Sequence, residues 1–504
     1  MAGDQRTGGM VQRVTSPSTR PDHRVLVVGA GFAGIGMGIK LKQAGIDDFV
    51  LLEKDTDLGG TWRDNSYPGC ACDVPSPLYS FSFEQNPEWT RFFSPADEIW
   101  DYLRHCVDAY DLKPHMRYGA DVQGAAYDET AGRWAVELAG GETLTARAVV
   151  TGVGALHRPR LPDIPGLDSF KGRSFHSAHW DHNHDLTGRR VAVIGTGASA
   201  IQFVPQIQPA VEQLDVYQRT APWVTPKPDR EISDLEKSLF RRVPAAMTAF
   251  RAIVYAVLET RALGFAVHPR FMALIERNAR RHLARQVPDV DLRARLTPDY
   301  QIGCKRILLS NDYYPALSQP NVELVTTGIE RVTPTGIVDR SGVARPVDTI
   351  VLGTGFQVTG NLTRLRLRGL GGEDLADTWR RKGAGAHLGI SVSGFPNLFL
   401  LVGPNTGLGH SSMIYMIESQ VAHVIHALRL GEQHGGAVDV RQDVQDTYVE
   451  DVQGHLDGSV WQSGCSSWYI DETGRNTAIW PRFSWQYRQR TRRLRPHEYA
   501  IVPT

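Results

Sequence analysis

The chain has 504 residues, 41% of them hydrophobic, with 55 basic and 55 acidic side chains in balance. That length predicts two or three packed units, and the balance excludes a global field that would draw nucleic acid or a membrane surface. Five cysteines do not make a disulfide scaffold, so a reducing, cytoplasmic setting is expected, and the longest greasy stretch is broken by Glu259 and Arg261, so no integral membrane span is expected.

Residues 1–20 hold Gly, Ser, Thr, Arg and Pro without an apolar run and are expected to be a disordered lead-in. The apolar run at 25–28 then reads as a buried parallel strand. Gly29, Gly31 and Gly34 follow in the order Gly-x-Gly-x-x-Gly, with Phe32 between them expected to line the cofactor site. The first glycine permits the turn, the second lets the backbone approach a pyrophosphate, and the third lets helix and strand pack closely. The next strand, 49–53, ends on Glu53, an acid suited to ribose hydroxyls.

Residues 59–73 read Gly-Gly-Thr-Trp-Arg-Asp-Asn-Ser-Tyr-Pro-Gly-Cys-Ala-Cys-Asp and include Gly60, Trp62 and Asp73. Cys70 and Cys72 are the only close cysteine pair. Their one-residue spacing is awkward for a cycling disulfide, and two ordinary thiols are expected. Residues 170–181 read Phe-Lys-Gly-Arg-Ser-Phe-His-Ser-Ala-His-Trp-Asp and include His176 and Trp180. His176, His179, His182 and His184 have spacings that zinc could use, but no cysteine or acidic cluster completes a site, so no metal is expected.

The glycine pattern then recurs. A strand at 190–194 leads into Gly195, Gly197, Ala198, Ser199 and Ala200, with Gln202 on the helix that follows. The next strand ends on Arg219, followed by Thr220. In both units 24 positions separate the first glycine from the last strand residue, so register is equal and only chemistry changes. A carboxylate accepts from a free 2′-hydroxyl and repels a 2′-phosphate, whereas a guanidinium pairs with that phosphate. The first unit is therefore expected to hold FAD and the second NADPH. Pro205 and Pro209 predict that the second helix is short or kinked.

Residues 228–296 carry Leu, Ala, Arg and Glu at helical spacing and read as an inserted helical subdomain. Gly303-Cys304-Lys305-Arg306 follows. With these pieces in place, the chain resembles the type I Baeyer–Villiger monooxygenases from about residue 24 to about residue 426. Residues 59–73 and 170–181 carry every fixed position of that family's two signatures.

The resemblance implies an enzyme that uses FAD, NADPH and O₂ to convert a ketone to an ester or lactone through a peroxyflavin. It maps the active-site arginine of the family's Lys-Arg pair onto Arg306, beside Lys305, with Asp73 as the arginine's partner. A permanent cation there would stabilise both an anionic peroxide and the oxyanion of the adduct. It places His176 and Trp180 in a hinge between two nucleotide units, with no need to touch substrate.

The fold class expected is α/β, with two doubly wound dinucleotide-binding domains. The FAD domain is split between 21–156 and 347–504, and the NADPH domain spans 165–346. Residues 349–356 read as a strand entering a glycine turn at the return to the FAD domain. Residues 396–406 resemble the strand and loop over the isoalloxazine, and a helix follows at 411–428. The tail beyond 465 resembles the subgroup around 4-hydroxyacetophenone monooxygenase. The arginines at 488, 490, 492, 493 and 495 read as a solvated face. Two other readings stay open: a flavin oxygenase of nitrogen or sulfur, and a dinucleotide-binding sensor that does not turn over. The ketone and the oligomeric state are not legible in the sequence.

Overall fold

The computed structural model describes residues 21–267, 269–358, 362–465 and 467–503, so the lead-in expected at 1–20 lies outside the described residues. Two separate sheets carry the two glycine turns. In the first, His23–Val28 runs parallel to Phe49–Leu52 on one side and to Thr143–Thr151 on the other. Antiparallel strands Arg133–Leu138 and Val122–Asp128 extend the sheet outward. The chain returns to it late, with Arg366–Arg368 at the edge of Val122–Asp128 and Leu398–Leu400 beside Thr143–Thr151. Val25, Leu26 and Val27 are fully buried, as a central parallel strand covered on both faces requires.

The second sheet is five-stranded and parallel, in the order Val322–Val325, Gln213–Tyr217, Arg190–Ile194, Thr349–Leu352, Arg173–His176. One expectation needs correction here. The sequence reading places Thr349–Leu352 in the returning first unit, from residue 347 onward, but it pairs inside the second sheet. Its four residues are apolar or buried on both faces, so the pattern reads the same in either sheet. The helix after the second glycine turn, Ala200–Ile207, has eight residues with Pro205 inside it, the short form of the two alternatives.

Residues 228–296 form the helices Asp234–Arg242, Pro244–Thr260, Met272–Gln286 and Val290–Arg295. The first begins with a capping box, in which Ser233 and Glu236 satisfy each other's backbone N–H groups. The long helix is fastened to the first unit by Arg251, which donates to the carbonyls of Pro77 at 2.6 Å and Ser80 at 3.0 Å.

The tail folds back along the helix Met413–His434, and Gly436–Val440 pairs antiparallel with Tyr499–Pro503. The tail arginines are therefore not all solvated. Arg488 pairs with Glu418 at 2.9 Å and lies over the Tyr415 ring, and Arg490 pairs with Glu498, while Arg492 and Arg493 stay exposed. Cys304 and Cys465, 161 residues apart, are joined by a disulfide, against the reducing setting expected from the cysteine count. Cys70, Cys72 and Cys106 are free and buried.

Candidate active site

At the first turn Gly29 has φ +101°, and a Cβ there would meet the Gly152 carbonyl at 2.7 Å. A Cβ on Gly34 would lie 1.8 Å from the Gly29 carbonyl, so helix and strand pack as closely as the motif implies. Gly31 and Gly60 face each other across the turn, and a Cβ on Gly60 would sit 3.4 Å from the Gly31 Cα. This leaves a backbone-lined cradle of the kind a pyrophosphate needs. Glu53 is buried, and its Oε2 accepts from the Ala30 N–H at 2.8 Å, which braces the turn from the end of the neighbouring strand. Phe32 is not at the cradle's rim; it packs edge-on against Tyr79 and Phe81 in the core. Trp62 donates to the Tyr79 hydroxyl at 3.2 Å.

The second turn repeats the arrangement. Gly195 has φ +111°, and a Cβ would strike the Gly353 carbonyl at 2.3 Å, while Gly197 faces open space. Gly197 and Ala198 are exposed, and Ser199 begins the helix without using its hydroxyl as a cap. Arg219 is exposed just past the strand Gln213–Tyr217, and the Thr220 carbonyl accepts from the Thr196 hydroxyl. Lys305 comes close enough for the two cations to act on each other. Its ammonium is drawn below the ordinary lysine range first by burial and then by the charge of Arg219. The two side chains thus bring positive charge to one corner beside the second glycine turn.

Asp73 and Arg306, 233 residues apart, meet in a half-buried pair: Nε and Nη2 both donate to Oδ2, at 2.8 and 2.6 Å. The side chains are 31% and 36% exposed, so the pair borders open space while one carboxylate oxygen holds the guanidinium. Asp73 raises the guanidinium's proton affinity further, so Arg306 is a permanent cation. Cys72 and Cys70, in the same segment, are poor redox partners. Burial raises both thiols, Cys70 to about 11, which suppresses the thiolate that disulfide exchange needs.

Gln202 fastens the segment that carries Asp73. Its side chain donates to the Ala71 carbonyl at 2.9 Å and accepts from the Tyr67 hydroxyl at 2.9 Å. Its amide is thus committed to the first signature and is not turned to a ligand. Phe203, the next residue, touches Tyr67 on one side and Trp180 on the other, with ring centroids 6.0 and 5.3 Å apart. An aromatic chain therefore ties the two signatures together through the second glycine unit's helix.

His176 ends the edge strand of the second sheet, and its ring lies 5.8 Å from that of Phe356. Phe356 belongs to the strip that bridges to Pro159, where the two connections between the units run side by side. Burial pushes His176 down to about 4, so the imidazole is neutral near pH 7, and Nδ1 accepts from the Ala178 N–H. The other histidines of the run take separate partners: His182 meets the Ser66 hydroxyl and His184 the Thr349 hydroxyl.

Several residues of the site were not legible beforehand. Arg261 feels the charge of Asp73, and Tyr469 that of Arg306. Phe265 stacks on Trp461 at 5.4 Å, and a Cβ on Gly303 would meet Phe265 at 3.1 Å, so an aromatic wall backs the Lys-Arg segment. Buried Glu259 contacts His410 at 3.2 Å and accepts from the Ser484 hydroxyl at 2.6 Å. The one available signal was a pair of charges, Glu259 and Arg261, inside an otherwise apolar stretch.

A family profile described as pyridine nucleotide-disulphide oxidoreductase matches residues 26–259. A protein of Pseudomonas aeruginosa described as a Baeyer–Villiger monooxygenase is 50% identical over 492 residues, covering 97% of this chain and 93% of that one. One from Streptomyces coelicolor with the same description is 48% identical, over 95% and 92% of the two chains. Among solved structures, an oxidized steroid monooxygenase bound to NADP superposes with a TM-score of 0.85 at 30% identity, covering 96% of this chain and 100% of that one. A cyclohexanone monooxygenase of Rhodococcus sp. Phi1 bound to NADP+ gives 0.84 at 26% identity, over 96% and 99%.

Proposed function

The chain belongs to the Baeyer–Villiger monooxygenases, and from that premise we propose that it converts a ketone to an ester or lactone at the Asp73–Arg306 pair, using FAD, NADPH and O₂. The observation that carries the proposal is that pair. It joins the first signature to the Lys-Arg segment and leaves a permanent cation half-open beside an aromatic wall.

The first turn, with Gly29, Gly31, Gly60 and Glu53, suits the pyrophosphate and adenosine ribose of FAD. The second turn, with Gly197, Ala198 and Ser199, suits the pyrophosphate of NADPH, and Arg219 with Lys305 suits its 2′-phosphate. When bound, the flavin supplies hydride acceptance from the nicotinamide and the activation of O₂. The protein supplies the electrostatics. Arg306 holds negative charge where the carbonyl oxygen develops it, and Asp73 fixes the guanidinium's direction. Tyr469, whose hydroxyl burial pushes up to about 12, stays protonated beside Arg306. Arg261 adds a second cation on the Asp73 side. The Phe265–Trp461 wall limits water next to the developing charge.

His176 and Trp180 act as positioning residues. His176 packs at the strip where both connections cross, and Trp180 reaches the first signature through Phe203 and Tyr67. The proposal includes a cytoplasmic location. It is tested by incubating the FAD-loaded protein with NADPH, O₂ and linear, cyclic and aryl ketones and identifying products by mass. Products one oxygen heavier than the ketone, with ester or lactone fragmentation, are expected. Oxygenated amines or sulfides without any ester would move the assignment to the nitrogen- and sulfur-oxygenating enzymes.

A further inference from the structure

The helical insertion carries a surface that this chemistry does not use. Of fifteen large hydrophobic side chains exposed among the described residues, eight fall between Leu235 and Leu274. Leu235 is 81% exposed, Ile253 61% and Leu274 72%. Ile253 and Val257 lie one turn apart on the helix Pro244–Thr260, and every exposed position of that helix is Pro, Ala, Thr, Ile or Val. Its only two charges, Arg251 and Glu259, are buried: Arg251 against the Pro77 and Ser80 carbonyls, Glu259 against His410 and Ser484. A surface helix ordinarily turns its charges outward and its apolar residues inward, and here both charges point in.

Charge along this stretch is one-sided. From 235 to 285 the sequence holds ten lysines and arginines against three glutamates, in a chain whose totals balance. Glu259 is buried, Glu276 is paired with Arg280 and Glu236 with Arg230. Arg242, Arg277, Arg281 and Arg285 are exposed, as is Arg241, which also meets Glu88.

We propose that the exposed face of the insertion docks in the plane of a bilayer that bears anionic headgroups. The apolar side chains would enter the boundary between headgroups and acyl chains, and the arginines would meet the phosphates. Crossing the bilayer is not the geometry. No single helix among the described residues is long and apolar enough, the first two helices bend by 114°, and Met247, Val254 and Leu258 hold one side of the long helix against the protein. A second copy of this chain fits worse, because two-fold pairing through the face would set the arginines against themselves.

The end of the long helix leads to the site through Glu259, Arg261 and Phe265. An apolar ketone dissolved in lipid would therefore reach the insertion without crossing water. That consequence rests on the proposed activity; the docking does not.

The test is flotation of the full, FAD-loaded chain with vesicles of phosphatidylcholine, alone or mixed with phosphatidylglycerol. The chain should float with the mixed vesicles at least about tenfold better than with phosphatidylcholine alone, and salt should weaken this. Ile253→Glu/Val257→Glu should lose about tenfold or more of the binding, with flavin absorbance and turnover of a water-soluble ketone unchanged. If that variant fails to fold, Phe271→Ser/Leu274→Ser carries the same expectation. Arg277→Glu/Arg281→Glu should lose the preference for the anionic lipid. Failure of the unmodified chain to float with mixed vesicles would overturn the proposal. So would an apolar-face variant that floats as well as the unmodified chain, or a dimer split by that variant in the absence of any vesicle binding.

Discussion

Removing Arg219 tests the assignment of the second unit most finely, because Lys305 stands beside it. Two cations share this corner, and the acid that acts on Lys305, Asp299, does so less strongly than Arg219. A 2′-phosphate would relieve their repulsion and accept from both. A charge-assisted contact is worth about 1.5–3 kcal/mol. Arg219 is exposed, so the lower end applies, about tenfold in affinity. Lys305 is half-buried and should cost as much or more. If both hold one phosphate, their effects are coupled and the double variant should fall short of the sum. The assay is stopped-flow reduction of the flavin by NADPH and by NADH in Arg219→Ala, Lys305→Ala and the double variant. NADPH reduction should drop about tenfold or more in each single variant, with NADH little changed. Parallel loss with both coenzymes in Arg219→Ala would make Arg219 a structural residue with no part in choosing the coenzyme, and strict additivity would separate the two cations into different sites.

Asp73→Asn keeps the shape of the pair and removes its charge. Because the side chains are about one-third exposed, we expect a loss of about 1–3 kcal/mol, between the limits for surface and buried pairs. Urea unfolding measures it, and an unchanged midpoint would mean that Arg306 is held by other groups. Gln202→Ala deletes two hydrogen bonds of 2.9 Å and a longer one of 3.4 Å from the Ala71 N–H, and should lower stability by about 1–3 kcal/mol. It should also weaken FAD retention while leaving the NADPH/NADH preference intact, as ultrafiltration and coenzyme kinetics would show. His176 is depressed from 6.5 to about 4 by burial, so the unfolded chain binds more protons between those values. Its contribution is full above about pH 6.5, falls by about 2 kcal/mol by pH 5 and is lost below pH 4. His176→Phe should flatten that part of the acid slope in unfolding midpoints taken from pH 7 to pH 4; an identical slope in both proteins would assign the loss to other groups, such as buried His423.

Both glycine turns were legible because their requirements are local: a positive φ at Gly29 and Gly195, and open backbone at Gly31 and Gly197. The placement of Glu53 and Arg219 just past the neighbouring strands was legible for the same reason. The Asp73–Arg306 pair spans 233 residues and was accessible only through the resemblance. Why the second signature keeps Trp180 became clear only with Phe203 and Tyr67 beside it. The strand at 349–352 was placed in the wrong sheet because a short apolar run fits any buried strand. Cys304 and Cys465 gave no sign of proximity across 161 residues. Glu259 and Arg261 looked like interruptions of an apolar stretch; the fold buries Glu259 against His410 and Ser484 and brings Arg261 within reach of the Asp73 charge.

Whether Arg306 stabilises the negative charge that forms as oxygen enters the ketone is tested by measuring ester yield and hydrogen peroxide yield per NADPH consumed, in the unmodified enzyme and in Arg306→Ala. Loss of one well-placed stabiliser costs about a hundredfold to a thousandfold in rate. The variant should therefore still consume NADPH while releasing peroxide and almost no ester, and Arg306→Lys should recover only part of the yield. An Arg306→Ala enzyme that keeps its ester yield per NADPH would contradict the account.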